Sequence, residues 1–423
     1  MDSATVAQLV NTHADAADPT WQRSTYEHLH AHPELSAVEE KTAEFLVAEL
    51  RQMPEFAIHT GIGGHGVVAV LENGPGPVVV FRADIDGLPV TEATGVPFAS
   101  VEQAVSRGGS TSGVMHACGH DMHMTAALSA ARIVHASREN WSGTFVALFQ
   151  PAEETASGAD QMLTGGLTEV LPHPDVYLGQ HVVPGPAGQV MSMPGPALAG
   201  CDTVSITIKG RSAHGSMPHN SIDPTYAAAA IVLRLQGIVG REIPPHDFGV
   251  VSVGTLQSGN SNNTIPGEAR IVLNIRFYST EVRRTLINAI ERVVEGECRA
   301  SGITEPAVIE YSDHGEVTDN DSDVYGRVRE TFDALFDADT VTATAWTASE
   351  DFSNIPRALD VPYHYWTVGV TPRQRWEAAV AADRVIEDIP SNHMATFIPD
   401  FEPTMAATTK AAAGAILTEL HAR

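Results

Sequence analysis

The chain has 423 residues, of which 43% are hydrophobic and 18% are charged, a composition typical of a folded protein with more than one domain. Its formal net charge of −27 argues against nucleic acid and anionic membranes as partners, and no apolar run reaches the length of a membrane span. We expect a cytoplasmic protein, because the first residues lack the features of a signal peptide and three cysteines cannot form a disulfide framework.

The first part of the chain alternates helical and strand patterns. The predicted elements, in chain order, are a helix over 20–53, strands over 67–71 and 78–81, a helix over 121–137, and strands over 144–149 and 176–179. Short apolar strands that alternate with helices predict an α/β sheet covered on both faces. Asp121 is expected to cap its helix, and the three histidines of the first helix are expected to lie on a polar face: His28, His30 and His32.

The pattern changes near residue 199. The next predicted elements are strands over 203–209, 248–257, 268–277 and 304–311, with helices over 223–239 and 280–300. Their β-α-β-β-α-β order is the ferredoxin-like arrangement. A helix, strand and helix pattern returns after about residue 313. We therefore predict a first domain formed by 1–198 and 314–423, with the smaller domain 199–313 inserted in it, and a surface excursion over 371–391.

Polar side chains follow the predicted strands of the first domain. In open α/β sheets, the site forms at the carboxyl ends of the strands, so these side chains are expected to converge. They are Asp84, Asp86, Cys118, His120, Glu153, Glu154 and His181.

The segment 115–123 places Cys118 and His120 two residues apart, separated by a glycine. In an extended segment, residues i and i+2 point to the same side, so the thiolate and the imidazole can bind one metal cluster. Sulfur, nitrogen and nearby carboxylates suit zinc, manganese or cobalt rather than calcium. The alternative is a buried cysteine beside a helix-capping histidine.

Glu153 and Glu154 come directly after a buried strand. Neighbouring side chains leave the backbone in different directions, so one carboxylate can bind metal while the other acts as general base. The alternative is a solvated end of a loop. Asp86 is a candidate for orienting a ligand histidine, whereas Asp84 is open to a structural interpretation. His181 could be a further ligand.

The smaller domain carries a second group of polar candidates. His214 follows a predicted strand and could donate to a developing oxyanion, while Asn263 and Arg276 could hold a substrate carboxylate. The alternatives are an ordinary turn residue and a surface charge.

Taken together, these motifs resemble a known family. The chain is similar to the amidohydrolase branch of the aminoacylase and carboxypeptidase-like dinuclear metallopeptidases, which includes hippurate hydrolase and auxin-conjugate hydrolases. The matching segments are 30–36, 82–89, 116–123, 150–154, 180–182, 213–214 with Pro218, 263–266 and 349–352.

The resemblance implies a zinc-peptidase-like α/β catalytic domain with an inserted ferredoxin-like lid and dimerisation domain. It implies that Glu153 is the general base, that His214 polarises the scissile carbonyl, and that Asn263 and Arg276 clamp the substrate carboxylate. The implied metal ions are two divalent ions per subunit, zinc or manganese first, with cobalt or nickel as alternatives. Their implied ligands are Cys118 (the expected bridge), His120, Glu154, His181 and His393.

The expected reaction is cleavage of an N-acyl amino acid to a carboxylate and a free amino acid in a homodimeric enzyme. A dipeptidase or an N-acetyl-amino-acid deacetylase with the same metal site is the nearest alternative, and a non-catalytic binding protein is a third. The sequence leaves open the acyl group, the amino acid, the metal and the role of 371–391.

Overall fold

A computed structural model describes residues 1–106 and 108–422. The contacts within the chain divide it into two compact units. The first unit consists of Met1–Ala197, Asp319–Ala345 and Glu350–Arg423, and the second of Leu198–Thr318 and Trp346–Ser349.

The described residues contain strands in both units, numbered here in chain order. They are β1 (Ala57–Ile62), β2 (Gly66–Asn73), β3 (Val78–Asp84), β4 (Gln103–Val105), β5 (Thr111–Gly113), β6 (Gly143–Gln150), β7 (Val176–Pro186), β8 (Val190–Ser192), β9 (Gly195–Leu198), β10 (Gly200–Lys209), β11 (Ala213–His214), β12 (Gly249–Ser258), β13 (Thr264–Ile265), β14 (Glu268–Phe277), β15 (Val308–Gly315), β16 (Thr318–Asn320), β17 (Thr340–Thr342) and β18 (Tyr363–Thr371).

The α-helices are numbered in the same way. They are α1 (Ser3–His13), α2 (Pro19–Ala31), α3 (Glu40–Leu50), α4 (His120–Ala136), α5 (Gly158–Thr164), α6 (Leu167–Val170), α7 (Pro224–Glu242), α8 (Thr280–Ala300), α9 (Ser322–Phe336), α10 (Asn354–Ala358), α11 (Arg373–Ala381), α12 (Val385–Asp388) and α13 (Phe401–Leu420). Among the described residues, no helix is long and apolar enough to cross a membrane.

The first unit is built on an eight-stranded mixed sheet with the strand order β1-β2-β6-β3-β7-β18-β8-β17. Its four central strands, β6, β3, β7 and β18, are parallel, so their carboxyl ends meet at one edge. Both α4 and α13 pack on these central strands and on each other. Strands β3 and β6 are almost wholly buried, which explains why they appear in the sequence as continuous apolar runs. The predicted α/β fold class is confirmed.

The second unit contains a four-stranded antiparallel sheet with the order β12-β14-β10-β15. Helices α7 and α8 pack on each other and on its strands. Alternate residues of β10 and β14 are buried, as expected for a sheet with one covered face. The strands of this sheet and the two helices follow one another as β-α-β-β-α-β, with the last strand at Val308–Gly315 rather than at 304–311. The short strands β11 and β13 pair separately.

The predicted helix over 20–53 is wrong in one respect, because the chain forms two helices there, α2 and α3. Helix α2 ends at Ala31, and Pro33 follows two residues later. Proline disfavours helical backbone at the residue before it and provides no N–H, so the helix stops where the proline begins the connection.

The sequence predicts Asp121 as the cap of α4, and this prediction is wrong. The helix begins at His120, and Gly119 precedes it with a φ of +85°. A side chain at Gly119 would bring its Cβ to 2.4 Å from a methyl group of Val182, so this position requires glycine for both backbone conformation and space.

Candidate metal centre

The carboxyl ends of the central strands position the predicted site. Strand β3 ends at Asp84, and Glu153 begins a short 3-10 turn just after β6. Arg82 of β3 pairs with Gly179 of β7, so the end of β3 is level with His181. Helix α4 starts at His120. The sheet therefore brings together side chains that lie far apart in the sequence.

One group of three side chains has ligand atoms that all lie within 4.8 Å of one another: Cys118, His120 and Glu154. Within it, Nε2 of His120 lies 3.7 Å from Oε1 of Glu154. The Cys118 sulfur also lies 3.4 Å from Nε2 of His181, so the fourth predicted ligand joins the same cluster.

The hydrogen bonds of the two histidines fix which ring nitrogen faces the cluster. Nδ1 of His120 lies 2.8 Å from the main-chain oxygen of Asp86, and Nδ1 of His181 lies 2.7 Å from the main-chain oxygen of Val182. Because a carbonyl oxygen only accepts, each Nδ1 carries a proton and donates it. In the neutral ring, Nε2 then presents a lone pair, which is the form of histidine that binds metal.

Two buried atoms of this cluster have no hydrogen-bond partner within the described part of the chain: Nε2 of His120 and Oε1 of Glu154. Such atoms are costly to bury unless something compensates them. Burial, and then the neighbouring Asp86, raises the pKa of Glu154 to about 7, although His120 acts in the opposite direction. Burial also raises the pKa of the Cys118 thiol. Divalent cations would compensate this site, and its soft and borderline ligand atoms suit zinc-like ions.

His393 reaches the cluster from the chain that precedes α13. Its Nε2 lies 3.4 Å from Oε2 of Glu154, and its side chain is 56% exposed. Its φ is +71°, and its main-chain N–H donates to the oxygen of Ala117 over 2.8 Å. Glu154 therefore lies between two histidines, with one carboxylate oxygen near His120 and the other near His393.

A second compact group of possible ligands consists of Asp84, His120, His123 and His181. The sequence did not predict these four residues as one metal site. Nδ1 of His123 lies 2.6 Å from Oδ1 of Asp84, and Nε2 accepts the main-chain N–H of Val182 over 2.9 Å. Both nitrogens of His123 are thus engaged, so it suits a structural role better than a ligand role. His123 lies three residues after His120 in α4, so both side chains are on one face of the helix. This spacing is the feature of the sequence that could have predicted its position.

Asp86 contacts three separate segments around the cluster. Its Oδ2 accepts hydrogen bonds from Ser36 Oγ over 2.7 Å and from the main-chain N–H of Glu154 over 3.0 Å. Its Oδ1 lies 3.3 Å from Nδ1 of His120, whereas its main-chain oxygen lies 2.8 Å from the same nitrogen. The main-chain oxygen of Asp86 thus makes the closer contact with His120, while its carboxylate fixes the turn that carries Glu154.

Arg82 is a buried cation that sequence reasoning did not single out, although it interrupts an apolar strand. Its side chain is 1% exposed and lies 2.7 Å from Asp84, 2.6 Å from Glu350 and 3.2 Å from Asp351. Its Nε also donates to Gln150 over 3.0 Å. The guanidinium therefore compensates the negative charge of these three buried carboxylates.

His30 is a further residue whose environment differs from expectation, because it is buried rather than on a polar helix face. It lies between two carboxylates, with Nδ1 2.7 Å from Asp121 and Nε2 3.0 Å from Glu92. Burial alone would lower the pKa of His30, but these two hydrogen bonds outweigh it and raise the pKa to about 9.

The other predicted site residues belong to the second unit. Nε2 of His214 is hydrogen-bonded to the side-chain amide of Asn263 at 3.1 Å, and its Nδ1 lies 2.7 Å from Ser216 Oγ. Arg276 donates to Asn274 over 2.7 Å and to Ser349 over 2.6 Å. His214 and Asn263 thus form a pair, whereas Arg276 contacts other partners.

Comparison with known proteins decides the family. A model described as peptidase family M20/M25/M40 matches residues 80–388 of the chain. The chain belongs to this family. Amide hydrolysis is the chemistry of its amidohydrolases and deacetylases, and the chain is accordingly a hydrolytic enzyme that acts on small-molecule amides.

Individual members of the M20/M25/M40 family match over most of their length. The N-acyl-L-amino acid amidohydrolase of Geobacillus stearothermophilus is 37% identical over 284 residues, which cover 67% of this chain and 72% of the relative. The N-acetylcysteine deacetylase of Bacillus subtilis is 33% identical over 350 residues, which cover 82% of this chain and 88% of the relative.

A solved structure is similar over nearly the whole chain. It is a dinuclear metal-binding peptidase of the M20 family from Bacillus subtilis, 28% identical, with a TM-score of 0.75. The match covers 94% of this chain and 97% of the solved one. Together with the ligand cluster around His120, this likeness supports two divalent metal ions in the first unit.

Proposed function

We propose that the protein is a metal-dependent amidohydrolase that cleaves the amide bond of an N-acyl amino acid, giving a carboxylate and a free amino acid. The proposed metal ligands are Cys118, His120, Glu154, His181 and His393, with Cys118 as the bridge. Zinc or manganese is the expected metal, with cobalt or nickel as alternatives. The relative from Geobacillus stearothermophilus, named an N-acyl-L-amino acid amidohydrolase, supports this choice of substrate.

The observation that carries the proposal is the position of Glu153 beside the ligand cluster. Its Oε2 lies 3.8 Å from Nε2 of His120, and its side chain is 10% exposed. Burial and then the charge of Glu154 raise the pKa of Glu153 well above its ordinary value. A carboxylate with a raised affinity for a proton, next to a cluster of metal ligands, suits the role of general base.

In the proposed reaction, Glu153 accepts a proton from the attacking water as the water oxygen forms a bond to the amide carbon. Divalent ions, when bound, supply positive charge that acidifies the water and polarises the carbonyl. Glu153 then returns the proton to the amide nitrogen as the carbon–nitrogen bond breaks, so that the amine leaves neutral. Arg82 and Asp86 hold the surrounding carboxylates and His120 in place.

We assign the recognition of the substrate to residues of the second unit. His214 is proposed to donate to the oxygen of the scissile carbonyl, and Asn263 and Arg276 to bind the carboxylate of the amino-acid half. His214 and Asn263 are neighbours, with Nε2 and Nδ2 3.1 Å apart, and the substrate carbonyl would take the place of this contact when His214 donates to it. The second unit is also proposed to form the contact of a homodimer, which sedimentation of the purified protein tests.

A cytoplasmic location is a further part of the proposal. All three cysteines, Cys118, Cys201 and Cys298, are free and buried. Cys118 has to remain a thiolate to bind metal, so an oxidising compartment would endanger the site.

The experiment that tests the function is hydrolysis of a substrate panel by metal-stripped protein. The panel contains N-acetyl, N-benzoyl and dipeptide compounds, and zinc, manganese or cobalt is added back to separate samples. Release of free amino acid that depends on added metal supports the proposal. Absence of turnover on every N-acyl amino acid, with two metal ions bound per chain, contradicts it.

A deacetylase of N-acetyl amino acids is the second candidate. The relative named N-acetylcysteine deacetylase favours it, because its match extends over 82% of this chain. The same panel separates the two candidates, since a deacetylase prefers the N-acetyl compounds over the larger N-benzoyl compounds. Preference for dipeptides would instead point to a dipeptidase.

A further inference from the structure

Asn392 precedes His393, and its side chain has a set of contacts that neither metal ligation nor proton transfer explains. Its Nδ2 lies 3.0 Å from the main-chain oxygen of Val182 and 3.3 Å from that of Cys118. Because carbonyl oxygens only accept, the amide must direct its N–H groups at them, so the network fixes its orientation.

These contacts connect three segments that carry proposed ligands. Val182 follows His181, Cys118 is itself a ligand, and Asn392 precedes His393. One side-chain amide therefore links the backbone of β7, the segment before α4 and the loop before α13. Displacing this amide would remove the side-chain hydrogen bonds that join the three segments.

The backbone of His393 makes such support necessary. Its φ of +71° lies in the left-handed region, which residues other than glycine rarely adopt. Beyond the Asn392 amide, the main-chain N–H of His393 donates to the oxygen of Ala117. Both contacts fix the loop against the segment that carries Cys118.

The same amide also approaches the proposed bridging sulfur. Nδ2 of Asn392 lies 3.8 Å from Sγ of Cys118, within the range of a hydrogen bond to sulfur. Nδ2 carries two hydrogens, so the one on the Cys118 side is shared between the main-chain oxygen and the sulfur of this residue. An N–H group directed at a thiolate stabilises its negative charge and reduces the electron density that the sulfur donates to a metal ion.

We propose that Asn392 is a positioning residue of the metal centre. It fixes the loop of His393 against the segments of Cys118 and His181, and it shares one N–H between the main-chain oxygen and the sulfur of Cys118. This inference rests on the proposed metal site, and its test separates the failure of one from the failure of the other.

The test compares wild-type full-length protein with Asn392→Asp, which keeps the size of the side chain and removes its N–H donors. Cobalt is titrated into each metal-free protein in competition with a chromophoric chelator, and the thiolate-to-cobalt charge-transfer band is recorded. We expect cobalt affinity to fall about 10-fold or more and the band to shift. Asn392→Ala is measured in parallel and should change both readouts in the same way as Asn392→Asp.

Asn73→Asp is the matched control. The Asn73 amide also bridges two main-chain oxygens, those of Arg138 and Trp141, at 2.8 and 2.6 Å, and neither partner belongs to the ligand segments. Cobalt affinity and the band should be unchanged in this variant. Wild-type values in both Asn392 variants would overturn the inference alone. A wild-type protein that binds no cobalt would overturn the metal site, and the inference with it.

Discussion

Nε2 of His120 and Oε1 of Glu154 face each other at 3.7 Å, and both are buried without a hydrogen-bond partner among residues 1–106 and 108–422. They come from the start of α4 and from the turn after β6, elements separated by a whole helix and strand. Ligand-to-metal distances of about 2.0–2.2 Å would let one ion contact both atoms. A divalent ion would therefore replace the solvation that each atom loses on burial.

Removal of metal should lower the stability of the fold, because the ions bind only the folded arrangement of these ligands. At a free metal concentration about 100 times the dissociation constant, the gain is about 2.7 kcal/mol. Scanning calorimetry after dialysis against a chelator, and again after zinc is restored, measures the effect. Identical unfolding temperatures in the two states would contradict metal binding at this site.

His120 and His123 should respond differently to the same substitution. His120→Asn removes a proposed ligand, so the bound metal should fall below the wild-type content. His123→Asn retains a donor for Asp84 but loses the acceptor of the Val182 N–H, so we expect normal metal content and a loss of about 1–3 kcal/mol in stability. Elemental analysis and urea unfolding give the two readouts. Loss of metal from His123→Asn would identify His123 as a ligand instead.

Arg82→Met should destabilise the protein strongly. The substitution leaves the carboxylates of Asp84, Glu350 and Asp351 buried without their cation, and removing one partner of a buried ion pair costs about 3–5 kcal/mol. Arg292→Met serves as the control, since Arg292 is 59% exposed and its pairing with Glu242 should contribute less than about 1 kcal/mol. Equal urea midpoints for the two variants would show that the buried network is not stabilising.

The stability of the wild-type protein should depend on pH through His30. Its pKa is raised in the folded state from 6.5 to about 9, so the contribution of the charged form is complete below pH 6.5 and is lost as the pH rises through about 9. The size of this shift corresponds to on the order of 3 kcal/mol. His30→Gln cannot titrate, so the wild type should lose its advantage over the variant on the alkaline side. Urea unfolding over this pH range measures the effect. The same dependence of the unfolding free energy on pH in both proteins would contradict the pairing of His30 with Asp121 and Glu92.

The sequence was sufficient for features that depend on local pattern. Buried strands such as β3 and β6 appear as apolar runs, and polar residues directly after them, such as Glu153, predict a site at the edge of the sheet. The break between α2 and α3 was also encoded locally, by Pro33, but the regular spacing of apolar residues on either side obscured it.

The features that the sequence did not reveal depend on pairing between distant residues. His30 can be buried because Asp121, 91 positions away, accepts a hydrogen bond from it. Arg82 can be buried because it donates to Glu350, 268 positions away. An isolated histidine or arginine has the same appearance in sequence whether it is solvated or paired. Only the folded sheet brings the compensating carboxylates to them.

The central claim is that Glu153 moves the proton while other residues hold the metal ions. Glu153→Gln keeps the shape of the side chain and removes its basicity, so hydrolysis of the best N-acyl amino acid should fall by about 100-fold or more. Bound metal should remain at the wild-type content, which elemental analysis of the same sample checks. Turnover within a few-fold of wild type, with metal content unchanged, would contradict the account.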